Sequence, residues 1–287
     1  PMNADSERWN WHSVYPAPAK LNLFLHVVGR RADGYHLLQT VFRFLDRGDR
    51  LRFAPRADRS IRLVTPLAGV PPEHDLTVRA ARLLQAEAAC PLGVDIHLDK
   101  CLPLGGGLGG GSSDAATVLL ALNHLWQLRL SRRRLQEIGL ALGADVPVFV
   151  FGQNAFAEGV GETLQAVELP PRCYLVLEPP VQVPTAAIFG APELRRDSPA
   201  IAPQAWHPGF GGNDLEAVAC ARFPPIAEHL ACLAAFAPAR MSGSGACVFA
   251  EFADRRDADA ALSRLDDGMR GWVAAGLDRH PLFALAN

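Results

Sequence analysis

Apolar positions in this chain change period several times along its length, and each change marks an element. Leu21 to Val28 (LNLFLHVV) is a short apolar run ending in Gly29-Arg-Arg-Ala-Asp-Gly34, the pattern of a strand closed by a turn. Val41 to Leu45 and Arg50 to Phe53 flank Asp46-Arg47-Gly48-Asp49, which predicts a hairpin. Between 76 and 89 the apolar residues Leu76, Ala80, Leu83 and Leu84 fall at helical spacing, whereas Val94 to Leu98 alternates as a strand does. A glycine-rich stretch from 103 to 114 follows, and behind it Ala115, Val118, Leu119, Leu122 and Leu125 line one helix face. Ser131 to Leu142 predicts a second helix with a polar start at Arg132, Arg133 and Arg134, closed by Gly143. The unbroken apolar run Val146 to Phe151 reads as a buried strand.

Proline pairs punctuate the remainder. Pro170-Pro171 and Pro179-Pro180 bracket a strand at Tyr174 to Leu177, and Pro224-Pro225 breaks a helical stretch running from Asn213 to Phe236. Met241-Ser-Gly-Ser-Gly-Ala246 then leads into a strand at Cys247 to Phe252. Mixed strands and helices predict an α+β chain. At 287 residues it is long enough for two cores, with an extension at 1–15, a first domain over 16–167 and a second over 168–287.

Composition narrows the function. Apolar residues make up 49% and charged residues 20%, far from the make-up of a disordered chain. A formal charge of −2 gives no basic excess for a nucleic acid backbone, so no nucleic acid partner is expected. No apolar run is long enough for a membrane span, and Asp5, Glu7 and Arg8 stand where a signal peptide would be apolar. A cytoplasmic protein is expected, working as a monomer or weak homodimer. The six cysteines show no C-x-x-C pair and no zinc spacing, which predicts reduced core residues. Among 28 basic residues only Lys20 and Lys100 are lysines. Two compact ammonium groups in a chain that otherwise uses arginine single those positions out.

The chemistry gathers at Pro103-Leu-Gly-Gly-Gly-Leu-Gly-Gly-Gly-Ser-Ser-Asp114. Six glycines from Gly105 to Gly111 are entropically costly unless the backbone must bend or approach something closely. Placed between a strand and a helix, such a loop converges N–H groups and a helix N-terminus on a phosphate. The helix dipole alone contributes ~0.3 to 1 kcal/mol, so further N–H groups, a cation and Mg²⁺ are needed to hold a triphosphate. The G-x-x-x-x-G-K-[ST] loop is absent, as are H-R-D and D-F-G. Gly105, Gly107 and Gly110 satisfy G-x-G-x-x-G, but residues 128–136 (LRLSRRRLQ) lack the acidic strand end of a dinucleotide-binding unit.

Five separated motifs carry a resemblance. Pro103 to Ala116, Ala17-Pro-Ala-Lys-Leu-Asn-Leu23, Arg31-Ala-Asp-Gly-Tyr-His-Leu37, Gly143-Ala-Asp-Val-Pro147 and Met241 to Ala246 occur in one order. Together they resemble the galactokinase, homoserine kinase, mevalonate kinase and phosphomevalonate kinase (GHMP) superfamily, over about residue 16 to beyond 280. The doubled Gly-Gly-Gly is similar to the branch that phosphorylates the 2-hydroxyl of 4-diphosphocytidyl-2-C-methyl-D-erythritol with ATP, in non-mevalonate isoprenoid synthesis. Its fold implies a ribosomal protein S5 domain 2-like first domain and a ferredoxin-like second one, with the active site between them.

The resemblance also assigns roles. Lys20 and Asp145 would be catalytic, Asp145 receiving the hydroxyl proton and Lys20 holding it ionised beside the transferring group. ATP would lie against Pro103, Leu104, Gly105, Gly106, Gly107, Leu108, Gly109, Gly110, Gly111, Ser112 and Ser113, with Asp75, Leu76, Lys100, Gly243 and Ser244. Asn22, Tyr35, His36, Val160, Thr185 and Phe189 would line the substrate side, Tyr35 stacking on cytosine and His36 reading its edge. Asp75 stands where many relatives carry Asn, and a charge there calls for a donor partner. Trp9 and Trp11 have no counterpart, and no carboxylate besides Asp145 is an evident Mg²⁺ ligand. Three other readings remain: a different small-molecule kinase of the superfamily, a nucleotide-binding relative without turnover, and an RNA-binding protein built on the S5-like half.

Overall fold

A computed structural model describes residues 8–287; Asp5 and Glu7 of the opening segment lie outside the described residues. Its backbone is organised by two long strands, β1 (Tyr15–Arg30) and β2 (His36–Arg56), paired antiparallel with Lys20 opposite Phe44 and Asn22 opposite Phe42. Register shifts between Pro18 and Lys20 and between Asn22 and Leu25 bulge β1 on either side of these two polar residues. Bulges of this kind re-aim side chains and free backbone groups. Here the freed N–H of Lys20 donates to the carbonyl of Leu108, 2.9 Å away in the glycine loop.

The first half adds β3 (Ile61–Leu63), α1 (Leu76–Glu87), β4 (Gly93–Asp99), α2 (Gly110–Leu125), α3 (Arg132–Leu140), α4 (Val146–Phe151), β5 (Ala155–Glu158) and β6 (Thr163–Ala166). Helix α2 is buried from Ser113 to Asn123, so its apolar face has widened to the whole circumference, as in a core helix. Each fully buried Val or Leu there contributes roughly 1.5 to 3 kcal/mol. Trp9 and Trp11 pack on this same core, Trp9 stacking on Tyr15 at 5.1 Å while its carbonyl meets His124.

The second half comprises β7 (Cys173–Leu177), α5 (Thr185–Phe189), α6 (Glu216–Arg222), α7 (Pro224–Ala234), β8 (Ala239–Met241), β9 (Val248–Phe252), α8 (Arg255–Leu262) and β10 (Gly271–Leu277). Strand β10 pairs with β7 along most of its length and then with β2 through Gly276 and Leu277, giving the order β3-β4-β2-β10-β7-β9-β8. The two halves thus share one continuous sheet path, with a third core of Ala19, Leu21, Leu108, Tyr174, Phe249 and Trp272 at their seam.

Four sequence expectations change. The hairpin at Asp46–Asp49 does not form, because β2 runs straight through it. Gly48 lies flush on β1, where any Cβ would come within 2.0 Å of the Ala17 carbonyl, and Asp49 is satisfied by tertiary partners rather than by solvent. Val146–Phe151 is a helix, not a strand, with Pro147 in its first turn. A six-residue apolar run carries no period that separates the two. The helix expected behind the glycine-rich stretch begins inside it, at Gly110, so Gly110 and Gly111 already belong to its first turn. The break at Pro224-Pro225 is found as expected, these prolines opening α7. All six cysteines are free; Cys90, Cys173 and Cys247 are buried, Cys220 and Cys232 are partly buried, and Cys101 is exposed rather than in a core. Among the described residues no helix is long and apolar enough to cross a membrane.

Candidate active site

A cavity of about 920 Å³ opens between the halves, and nearly all the residues singled out by the motifs meet in its wall. Its floor is the glycine loop. Gly105, Gly107 and Gly109 alternate into the left-handed region at φ 68°, 73° and 71°. At Gly107 glycine is demanded by space as well, since a Cβ would lie 2.1 Å from the Ser242 carbonyl.

The loop's carbonyls are held by protein donors. Ala246 N–H donates to Gly105, Cys247 N–H to Gly106, Ser242 Oγ to Gly107 and Lys20 N–H to Leu108, at 3.2, 3.1, 3.0 and 2.9 Å. Among the described residues the N–H groups of Gly105 through Ser112 donate to no protein acceptor. Consecutive unpaired N–H groups running into the N-terminus of a 16-residue helix form an anion cradle.

Beside it stand the catalytic candidates. Lys20 is 2% exposed, its ammonium 2.5 Å from Asn22 Oδ1, 3.2 Å from Asp145 Oδ2 and 5.5 Å from the centroid of Phe42. Asn22 is fixed in turn by donating to Thr40 Oγ1 at 2.9 Å. Asp145 precedes α4 without capping it, so its half-exposed carboxylate faces Lys20 and the cavity. One ammonium is shared between an acceptor amide and a carboxylate at the edge of the anion cradle.

Lys100 is placed differently from a free phosphate ligand. Its Nζ lies 2.5 Å from Asp49 Oδ2 and 2.8 Å from Asp114 Oδ2, while Asp49 Oδ1 accepts from the N–H groups of Cys101 and Leu102. Burial by itself lowers the Lys100 pKa, but the adjacent Asp114 and Asp49 carboxylates outweigh it and the net direction is up. Burial also raises the pKa of Asp114, only partly offset by Lys100. The cluster sits directly beneath the loop, where a Cβ on Gly110 would meet Lys100 Nζ at 3.0 Å.

Asp75 and Ser113 are the two expected residues outside the cavity wall, although Leu76 is in it. The Asp75 carboxylate caps α1, accepting from Thr77 N–H at 2.8 Å and from Val78 N–H, and the Thr77 hydroxyl is a further partner. Its charge therefore has donors within its own helix. Ser113 is fully buried in α2.

The far wall is aromatic. Tyr35 is 64% exposed at the cavity mouth, and His36 packs on Phe189 at 5.0 Å between centroids. Burial, then Arg196 and Arg30, lower the His36 pKa. Val160 lies in the same wall, and its N–H is anchored on Glu162. Thr185 pairs with Ser244 through their hydroxyls at 2.9 Å, so the second-half loop at Gly243-Ser244 and the start of α5 meet across the cavity. Sequence reading did not single out Thr40, Phe42 or Arg196. Thr40 and Phe42 stand two apart on β2, with Phe42 opposite Asn22, and that period-two spacing carried a signal, whereas nothing in the local sequence marks Arg196.

Similarity to known proteins agrees with this geometry. Residues 75–153 match the GHMP kinases N-terminal domain and residues 202–271 the GHMP kinases C-terminal domain. A 4-diphosphocytidyl-2-C-methyl-D-erythritol kinase from Dechloromonas aromatica is 67% identical over 94% of this chain and 98% of the relative. One of the same name from Thiobacillus denitrificans is 61% identical over 94% and 97%. The crystal structure of a 4-(cytidine 5'-diphospho)-2C-methyl-D-erythritol kinase superposes with a TM-score of 0.80 at 36% identity, covering 92% of this chain and 99% of that one. The mevalonate kinase of Methanococcus jannaschii, at 13% identity and a TM-score of 0.67, shares the fold. This chain, with its two-domain GHMP kinase fold, belongs to the 4-diphosphocytidyl-2-C-methyl-D-erythritol kinase family of the GHMP kinases.

Proposed function

We propose that this chain transfers the γ-phosphoryl group of ATP to the 2-hydroxyl of 4-diphosphocytidyl-2-C-methyl-D-erythritol, a step of non-mevalonate isoprenoid synthesis. The observation that carries the reading is one cavity with three walls. Unpaired N–H groups from Gly105 to Ser112 lie on one side, the Lys20–Asp145 pair beside them, and Tyr35, His36 and Phe189 opposite.

Phosphoryl transfer asks for positioning, neutralisation of charge on the transferring group and an acceptor for the hydroxyl proton. The N–H cradle and the positive end of α2 hold the ATP phosphates, with Leu76, Pro103, Leu104, Gly243 and Ser244 around the nucleotide. Asp145 takes the proton of the attacking hydroxyl at a carboxylate oxygen. Lys20 pairs with that carboxylate and places a positive charge where the transferring group gathers negative charge, and Asn22 fixes the direction of its ammonium. Tyr35 and Phe189 offer aromatic faces to the cytosine, His36 a polar edge, and Val160 and Thr185 shape the space between base and hydroxyl.

Mg²⁺ fits this wall as a companion of the nucleotide. Among the described residues no group of three metal-ligating side chains gathers, and the carboxylates lining the cavity are Asp33 and Asp145. Mg²⁺ characteristically keeps its waters and is held by one or two carboxylates plus substrate phosphates. When bound it would neutralise phosphate charge, and Asp145 and Ser112 are the cavity-lining side chains that would hold it.

The test is ADP release from Mg-ATP with 4-diphosphocytidyl-2-C-methyl-D-erythritol, homoserine or mevalonate in parallel. Release with the cytidylyl alcohol alone is expected. Release with another alcohol instead would keep the kinase and reject the substrate, and none with any would reject the activity.

A further inference from the structure

Arg196 lies outside every motif, yet four of the five N–H donors of its guanidinium are engaged at the aromatic end of the cavity. Three hold carbonyls, those of Leu194 at 2.9 Å, Phe189 at 3.0 Å and Ala191 at 2.7 Å. The fourth, on Nε, points at Nε2 of His36 from 3.0 Å. A guanidinium only donates, so this His36 nitrogen must accept, and the ring's proton must sit on Nδ1. Among the described residues His36 Nδ1 has no hydrogen-bond partner, while the residue lines the cavity.

We infer that Arg196 is a positioning residue for base recognition, holding His36 as the neutral Nδ1–H tautomer so that the cavity presents one fixed donor to an acceptor atom of a pyrimidine. The inference rests on reading Tyr35, His36 and Phe189 as the base wall. The same guanidinium holds the carbonyl of Phe189, whose ring stacks on His36, so one side chain sets both the stacking surface and the donor. A pyrimidine edge with its acceptors toward His36 is matched, and one presenting an N–H there meets a second donor and is rejected.

The charged surroundings act in the same sense. Arg196 and Arg30 face the ring as cations; Asp33 is tied to Arg31 across the preceding turn; Glu193 is tied to Arg222 and Asp197 to Arg195 on the segment carrying Arg196. Among the described residues no carboxylate is paired with His36, so no ion pair in the wall favours the imidazolium.

The experiment uses the full chain labelled with ¹⁵N-histidine, the His36 signals being assigned with a His36→Gln variant. In the unliganded wild type the ¹⁵N shifts at pH 8 should report Nδ1–H, with the imidazolium appearing only below the ordinary histidine range. Arg196→Met, which removes every donor, should show a tautomer mixture that protonates nearer the ordinary histidine range, about 6.5. Its KM for the cytidylyl alcohol at pH 8 should rise about three- to tenfold, the scale of one lost hydrogen bond. That excess over wild type should shrink toward pH 5.5, because an imidazolium again carries a proton on Nδ1. KM for ATP should not follow, and Arg196→Lys, which keeps a cation and a donor, should recover most of the loss. A wild-type proton on Nε2, or an unchanged tautomer in Arg196→Met, overturns the inference. So does a KM rise that is equal at all pH values, which marks Arg196 as a purely structural clamp. A tautomer shift with no change in KM rejects the link to recognition; if Tyr35→Ala is then silent too, the base wall itself is misread.

Discussion

Lys20 Nζ lies 3.2 Å from Asp145 Oδ2, an almost fully buried ammonium against a carboxylate whose side chain is 34% exposed. The asymmetry suits a proton acceptor, because the lysine is fixed while the carboxylate stays open to a substrate hydroxyl. Asp145→Asn keeps the shape and removes the acceptor. Turnover should fall by about 10²-fold or more with KM for ATP nearly unchanged, as single-turnover kinetics would show. Wild-type turnover would remove Asp145 from the chemistry.

Lys100 joins Asp49 and Asp114 beneath the cradle. Replacing it with Met leaves two buried carboxylates facing each other, and breaking a buried pair from one side costs about 3 to 5 kcal/mol. Urea unfolding should report a loss of that order. The double variant Lys100→Met/Asp114→Asn should regain part of it, since one buried charge has gone.

Tyr35 is exposed at the mouth of the cavity and makes no contribution to a core. Tyr35→Ala should leave thermal stability and KM for ATP in place while raising KM for the cytidylyl alcohol. Initial-rate measurements varying each substrate in turn separate the two, and an effect on the ATP side would reject its place in the base wall.

Asp75 tests a cap against a nucleotide contact. Asp75→Ala should cost about 1 kcal/mol of stability by freeing the N–H groups of Thr77 and Val78. Asp75→Asn should retain most of that stability, and neither variant should move KM for ATP more than marginally. A large KM change without a stability change would place the carboxylate at the nucleotide instead.

His280 sets a pH dependence. Burial, reinforced by Arg132, lowers its pKa to about 3, and its Nδ1 accepts from the N–H of Leu282. Below about 6.5 the unfolded chain binds a proton that the folded chain refuses, so stability is complete above that pH and is lost as pH falls toward 3. Urea midpoints between pH 7 and pH 4.5 should decline less steeply in His280→Gln than in wild type; parallel slopes would reject the assignment.

Much of this was legible in the chain because glycine and lysine are so unevenly used. The loop from Gly105 to Gly111 announced an anion cradle, and the helix behind it was readable from Val118, Leu119 and Leu122. What escaped was decided by distant partners. Asp46–Asp49 has the composition of a turn, yet Lys100 and the N–H groups of Cys101 and Leu102 satisfy Asp49 within a continuous strand. Val146–Phe151 is too short to show a period. Arg196 and His36 are separated by 160 residues, and their contact depends on how the two halves meet.

The carbonyls of Gly105 to Leu108 are gripped by Lys20 and by residues 242–247, on either side of the loop in sequence. A nascent chain that has emerged only as far as α4 therefore possesses every glycine of the cradle without its shape. Three of its four carbonyl contacts, those to Gly105, Gly106 and Gly107, come only with the stretch between β8 and β9, so nucleotide capture during synthesis is expected to wait for that stretch.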